Sequence, residues 1–417
     1  MTDAEVTNST AKTVARIANE FAKAFPALAQ KREFILPREI DLILQSRLDL
    51  KRSLLEALSS DSSLRPPSGK FLSFGGVSGP LQGDEPARAI LRDILMGEPV
   101  DLVLEWYRQF FKSGRTASDR FVALVGVTVE KPVNLTKGVD LIPWSDVPAC
   151  EQRTHLSKSE NSENFPSSSP RPNCAIRVAE PEFQVITDFD EILSGGWKST
   201  TINFAIEQDV KRALTAVAVS PVGLHSSWWL PRDRAVLGLA HNGYAALQDW
   251  YALDLCYASR DPKSVDTEEF KECYAGLRET TGKKGEVLRI GFDRLASALR
   301  RNAVEKAIDL GIALEVLLLF ENTQGKPLEG ELKYRMALHG AAFLGASKEE
   351  RLAIFKALKS VYDLRSKVVH NGHLPSGKDY GSHLNEGVRL CAQVAKKLAA
   401  ARGFPDWEND CVLGWQS

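Results

Sequence analysis

Two side chains near residue 370 have the chemistry of phosphate binding and proton transfer. Arg365 carries a guanidinium, which can hold a phosphate with two parallel hydrogen bonds. His370 carries an imidazole, which gains or loses a proton near neutral pH. On one helix these two positions are separated by about 140° of rotation and about 7.5 Å of rise. The side chains therefore do not stack, but they could line one cleft, where His370 moves a proton and Arg365 stabilises negative charge.

The helix predicted over residues 348–370 carries Arg365 on its apolar face. That face advances in steps of four and three residues through Ile354, Leu358, Val361, Arg365 and Val368. Because a guanidinium keeps its charge, a buried Arg365 must be paired, or must face a cleft or an interface.

Glu315 interrupts an apolar face in the same way, in the helix predicted over residues 303–321. The face follows Ile308, Ile312, Glu315 and Leu319. In one interpretation Glu315 and Arg365 form an ion pair that holds two helices in register, which is the common role of such pairs. In the other, both residues belong to a functional site. The pattern favours the first interpretation for Glu315 and leaves both open for Arg365.

The residues around these positions resemble the ApeA-like HEPN family over roughly residues 290–400. The resemblance is carried by the segments ALEVLL (313–318) and YDLRSKVVHNG (362–372). HEPN domains have an Arg, a polar residue, a short spacer and a His, which correspond here to Arg365, Ser366, residues 367–369 and His370. Many active HEPN nucleases have Asn, Asp or His after the Arg. Ser366 keeps a hydrogen-bonding group there but supplies no charge.

The resemblance implies a metal-independent endoribonuclease that acts as a homodimer, in which the ribose 2′-OH attacks the adjacent phosphorus and leaves a 2′,3′-cyclic phosphate. It assigns catalysis to Arg365, Ser366 and His370. The supporting or structural residues would be Glu315, Tyr362 and Asn371. Some ApeA-like proteins act in bacterial defence against phage, so a regulated toxin or defence effector is implied. The alternative is a non-catalytic RNA-binding or dimerisation HEPN module.

Other motifs for cofactors or metals are incomplete. His370 and His373 flank Gly372, and with His383 they lack the Cys or carboxylate that would complete a metal site. The segments 196–200 and 282–284 lack the glycine that precedes Gly-Lys-Ser/Thr in a phosphate-binding loop. The sequence therefore predicts no metal and no cofactor.

Charge is unevenly distributed along the 417 residues. The net charge is −1, yet residues 286–402 contain 19 Lys and Arg against 13 Asp and Glu. This excess is compatible with RNA as a partner, and ordinary solvated helix faces would produce it equally well.

Composition predicts a cytoplasmic protein with no membrane partner. The six cysteines include no C-x-x-C pair, which is typical of reduced thiols. The polar, acidic start of the chain is unlike a signal peptide. The longest apolar run, 310–320, contains Glu315 and is too short to span a bilayer.

We predict an α+β, mainly α fold. A helical N-terminal region (1–120) precedes a mixed region (121–285) with short strands and a disordered loop near 151–173. An antiparallel HEPN-like bundle (286–402) and a tail (403–417) follow. Within the first two regions the predicted helices cover 38–59, 86–97, 99–112 and 235–259, the strands cover 121–129, 138–142, 174–178, 183–186 and 213–219, and irregular connections cover 61–84 and 260–285.

The bundle has the clearest pattern. Its predicted helices cover 286–301, 303–321, 331–344, 348–370 and 380–402. Ser347 and Glu350 have the spacing of a capping box, and Asn371-Gly372 is a typical helix end. Five helices with short connections favour an antiparallel bundle.

Overall fold

The computed structural model describes residues 3–26, 35, 37–74, 77–81, 84–157, 170–188, 190, 204–235, 258–320, 332–374 and 380–412. Over these residues the fold is α+β, as predicted, with a five-stranded sheet between an N-terminal and a C-terminal helical region. Within the described ranges, none of the helices has the length and apolar character needed to cross a membrane.

Among the described residues, the N-terminal region contains five amphipathic α-helices. They are α1 (Asp3–Ala24), α2 (Pro37–Ser46), α3 (Leu48–Ser60), α4 (Glu85–Leu95) and α5 (Val100–Ser113). Their buried residues recur every third or fourth position, as at Val14, Ile17 and Phe21, and form one core. The prediction of a single helix over 38–59 is wrong in one respect, because Arg47 leaves the helical conformation (φ −132°, ψ 67°) and divides it in two.

A small antiparallel sheet occupies part of the predicted loop 61–84. Strand β1 (Phe71–Phe74) pairs with β2 (Val77–Pro80) and with the later strand β8 (Ile186–Thr187). The loop prediction is therefore wrong over these strands. The pairing of β1 with β8 joins positions more than a hundred residues apart, so a local pattern of Ser, Gly and Pro does not report it.

The five-stranded sheet is antiparallel throughout, in the order β5-β6-β7-β3-β9. Its strands are β3 (Arg115–Val125), β5 (Val133–Thr136), β6 (Val139–Pro143), β7 (Cys174–Gln184) and β9 (Gly223–Pro231). The strands predicted over 138–142 and 174–178 are confirmed, and the strand predicted over 121–129 is confirmed as far as Val125. A short parallel pair, β4 (Val127–Thr128) with β10 (Lys263–Ser264), extends from the end of β3.

Helices cover both faces of this sheet. On one face α7 (Phe204–Ala218) packs Val210 and Leu214 against the core of β3 and β7. The predicted strand 213–219 is wrong, because these residues end α7; a short buried apolar run fits a helix as well as a strand. On the other face lies α6 (Glu151–Ser157), which replaces the start of the predicted disordered loop. Residues 158–169 of that loop and most of the predicted helix 235–259 lie outside the described residues.

Over the described residues, six α-helices form the C-terminal region. They are α8 (Thr267–Glu279), α9 (Gly282–Arg300), α10 (Ala303–Leu318), α11 (Leu332–Leu344), α12 (Lys348–Asn371) and α13 (Gly381–Ala400). The last five agree with the predicted helices. The predicted connection 260–285 is wrong, since Asp266 caps α8 by accepting from the amides of Glu268 and Glu269, and Phe270 and Leu277 are buried.

The sheet and the C-terminal helices share one hydrophobic core. It runs from Leu124 in β3 through Leu214 in α7 to Phe270 in α8 and Leu295 in α9. The chain after α13 also returns to this core, because Trp407 is buried and its indole Nε1 donates to the carbonyl of Phe320 at 3.2 Å.

Candidate functional site

Helix α12 carries most of the candidate residues, and both of its ends are locally encoded. Ser347 Oγ accepts from the amide of Glu350 at 3.1 Å, and the Glu350 carboxylate accepts in return from the amide of Ser347 at 3.3 Å. At the other end Gly372 has φ 74°, a conformation in which glycine has no steric penalty, and its amide donates to the carbonyl of Val368 at 2.8 Å. Both the capping box and the glycine end agree with the sequence prediction.

Arg365 faces α10 and lies at the margin of the core. Its Nη2 donates to Oε2 of Glu315 at 3.5 Å, and the two side chains are 26% and 23% exposed. Its guanidinium carbon lies 5.6 Å from the centre of the Tyr362 ring, within the range of a cation–π contact. The ion pair anticipated from the two interrupted apolar faces is thus present, and it is neither sealed from water nor fully solvated.

A glycine in α10 makes this approach possible. A Cβ added to Gly311 would lie 2.6 Å from Cγ of Arg365, so the arginine stem rests directly on the backbone of α10. Sequence reasoning missed this residue. The signal that could have found it is weak: glycine inside a helix costs about 1 kcal/mol relative to alanine, so a packing role is expected.

The pair leaves hydrogen-bonding capacity unused. Oε1 of Glu315 and Nε of Arg365 are both buried, and among the described residues neither has a hydrogen-bond partner. Burial raises the pKa of Glu315 above its usual value, although the charge of Arg365 acts in the opposite direction. A separation of 3.5 Å is at the long limit for a hydrogen bond. The contact is therefore one that a stronger anionic ligand could compete for.

The other predicted site residues occupy the last two turns of α12. Ser366 is half-buried, whereas His370 and Asn371 are exposed. The backbone carbonyl of Asn371 lies 2.8 Å from Nδ1 of His373. Helical geometry turns His370 about 140° away from Arg365. The structure thus brings Glu315, Tyr362 and Arg365 together and leaves His370 facing solvent on the same helix.

Other reactive or aromatic residues lie in the core. Burial raises the pKa values of Cys174, Cys273 and Cys391 to about 12, which makes them poor nucleophiles. Trp228 and Trp229 are 2% and 4% exposed and pack inside the protein. Within the described ranges, no group of three or more His, Cys, Asp or Glu side chains is placed to hold a metal ion. The segment 196–200 lies outside those ranges.

Comparisons of the chain with models of protein families, with curated proteins and with solved structures found no match. The resemblance to HEPN domains therefore rests on the residues of α10 and α12. The function that follows from this resemblance is therefore a proposal.

Proposed function

We propose that the protein is a HEPN-type endoribonuclease in which Arg365 and His370 act on one phosphodiester. The observation that carries the proposal is the position of Arg365, a permanent cation held at the edge of the core, on the same helix as the exposed imidazole of His370. Both groups can meet a bound polyanion without unfolding of the bundle.

The chemistry uses only these side chains and the substrate. The ribose 2′-OH attacks the adjacent phosphorus, the bond to the 5′ oxygen breaks, and the products end in a 2′,3′-cyclic phosphate and a 5′-OH. His370 transfers a proton between the reacting oxygens. Arg365 donates to the non-bridging oxygens, on which negative charge accumulates. A guanidinium has five N–H donors and the pair with Glu315 uses one of them, so capacity remains for a phosphate.

Ser366 and a second protomer complete the proposed site. Ser366 follows Arg365 on the half-buried side of the helix and would orient the backbone or the imidazole. Because Arg365 and His370 point in different directions on α12, a two-fold dimer would supply the missing partner by bringing two such pairs into one groove.

The decisive test is cleavage of a labelled single-stranded RNA by the whole chain and by the His370→Ala variant. Since His370 is exposed, the substitution should leave folding intact and lower the cleavage rate about 100-fold or more. His383→Ala is the matched control, because His383 is also exposed but lies on α13 outside the motif. Cleavage by His370→Ala at the wild-type rate would exclude the assignment.

A second candidate function is a non-catalytic RNA-binding or dimerisation module. It is favoured by the pairing of Arg365 with Glu315, which is the contact expected of a purely structural arginine. End-group analysis distinguishes the two functions. Cyclic phosphate termini that depend on His370 support the enzyme, whereas RNA that is bound and recovered intact supports the module.

A further inference from the structure

A pocket of about 160 Å³ lies between α7 and α9, well separated in sequence from the Arg365 site. Each helix contributes one face at the spacing i, i+3, i+4, i+7: Gln208, Lys211, Arg212 and Thr215 from α7, and Asp293, Ala296, Ser297 and Arg300 from α9. Two helices thus present matched four-residue faces to one space, and most of the side chains are polar.

The lining of the pocket contains more basic than acidic side chains. Among the described residues that line it, Lys211, Arg212 and Arg300 are basic and Asp293 is acidic. Asp293 accepts two hydrogen bonds of 2.8 Å from Arg212, so its charge is neutralised within the wall. Lys211 and Arg300 also line the pocket, and Nη2 of Arg300 donates to the carbonyl of Val222 at 3.0 Å.

Arg212 is held rigidly in that wall. Its Nη1 donates to Asp209 at 2.8 Å, and Asp209, which is fully buried, also accepts from Arg289 at 3.0 Å and from Arg278 at 3.3 Å. This network joins α7 to α8 and α9, so the pocket is built on fixed elements and not on a loop.

A buried hydroxyl in the pocket has no partner. Thr215 is 1% exposed, lines the space, and its Oγ1 makes no hydrogen bond to any described residue. Buried polar atoms are nearly always satisfied, and an unsatisfied one that lines a pocket points to a ligand or a bound water. The pocket is smaller than the roughly 300–1,000 Å³ typical of drug-sized ligands, so it would take a small charged group.

We propose that this pocket binds a phosphate group, with Lys211 and Arg300 supplying charge and Thr215 and Ser297 supplying hydroxyl donors. The same chemistry could come from a free phosphate compound or from the backbone of a nucleic acid strand. The site uses neither α10 nor α12. If the pocket did not bind phosphate, the proposed cleavage site would be unaffected. If the cleavage site were wrong, the pocket proposal would be unaffected in turn.

The test is calorimetric titration of the whole chain at constant ionic strength with three probes: inorganic pyrophosphate, adenosine monophosphate and a short single-stranded oligoribonucleotide. Lys211→Gln removes a charged donor and should weaken binding about tenfold or more. Thr215→Val removes one neutral hydroxyl and should weaken it about threefold or more. Because that hydroxyl makes no hydrogen bond to described residues, the valine variant is expected to melt no lower than wild type.

Lys271→Gln is the matched control, since Lys271 lies on α8 and pairs at the surface with Glu268; its affinity should equal that of wild type. Binding of pyrophosphate or the mononucleotide without the oligonucleotide identifies a free phosphate compound as the ligand, and the opposite result identifies the strand. The proposal is overturned if no probe gives saturable binding, or if either the Lys211 or the Thr215 variant binds as tightly as wild type.

Discussion

Two arginine–glutamate pairs within the described part of the chain lie on otherwise apolar faces, and they differ in access to water. In the bundle, Arg365 and Glu315 are 26% and 23% exposed. Between the sheet and α7, Arg120 of β3 contacts Glu207, and these side chains are 2% and 0% exposed. Arg120 Nε also lies 3.3 Å from Oε1 of Glu180. The sealed pair can only support the fold, whereas the half-exposed pair can also meet a ligand.

The energetic consequence follows from desolvation. When a charge in the core loses its partner, no water can take the partner's place. Loss of one partner therefore lowers the free energy of unfolding substantially. A half-exposed charge is screened by solvent and loses little. The stability that is lost when one partner is removed therefore distinguishes a pair with a structural role from a pair with a functional role.

The largest expected effect is that of Arg120→Met. It should lower the free energy of unfolding by about 3–5 kcal/mol, because Glu207 is left buried without its cation. Arg365→Met, the matched substitution in the bundle, should cost about 1 kcal/mol or less. Denaturant unfolding of both variants measures the difference.

Adding Glu207→Leu to Arg120→Met should recover most of the lost stability, since the fully buried carboxylate is then removed and a second partner of Arg120, Glu180, is 18% exposed and reaches water. Equal losses for the Arg120 and Arg365 substitutions would show that exposure does not distinguish the pairs.

A smaller effect is expected from pH. His225 in β9 is buried, neither ring nitrogen has a hydrogen-bond partner among the described residues, and burial lowers its pKa from 6.5 to about 4. Its contribution to stability is therefore present above about pH 6.5 and is lost as pH falls towards 4, by about 2 kcal/mol between pH 7 and pH 5. In the His225→Leu variant this loss should be missing from unfolding curves measured across that range.

In the bundle, Glu315 makes stability depend on pH in the opposite direction. Its pKa is raised, so its contribution is present at low pH and is lost as pH rises through the folded-state value. For His225, the contradicting result is a His225→Leu variant that loses as much stability between pH 7 and pH 5 as the wild type. The pH dependence would then belong to another group.

The smallest effect is expected from Gly311→Ala. The new methyl group would meet Cγ of Arg365 at 2.6 Å, and the overpacking, partly offset by the better helix propensity of alanine, should cost about 1 kcal/mol. In an Arg365→Ala background the contact with Cγ is gone and the 3.0 Å contact with Cβ of residue 365 remains, so the same change should cost less than in the wild type and approach neutrality. A double-mutant cycle in denaturant tests this reduction, and additivity of the two changes would contradict it.

The two regions also differ in what could be predicted. Arg365 and Glu315 were visible because each interrupts a 3.6-residue period within one helix, and the ends of α12 are encoded by adjacent residues. Arg120 and Glu207 lie 87 positions apart, and strand β9 is buried at every position, so it shows no alternation that would mark it as a strand. Gly311 acquires its role only when α12 packs against it. Local periodicity thus reports elements and misses the contacts that form between them.

The continuous core shared by the sheet and the C-terminal helices has a practical consequence for dissecting the chain. A fragment that began at residue 286 would lack α7 and α8 and would expose the surfaces of α9 and α13 that pack against them. Such a fragment would be prone to self-association through those surfaces. Activities of the bundle should accordingly be assigned by point substitution in the intact chain, where α7 and α8 cover these surfaces.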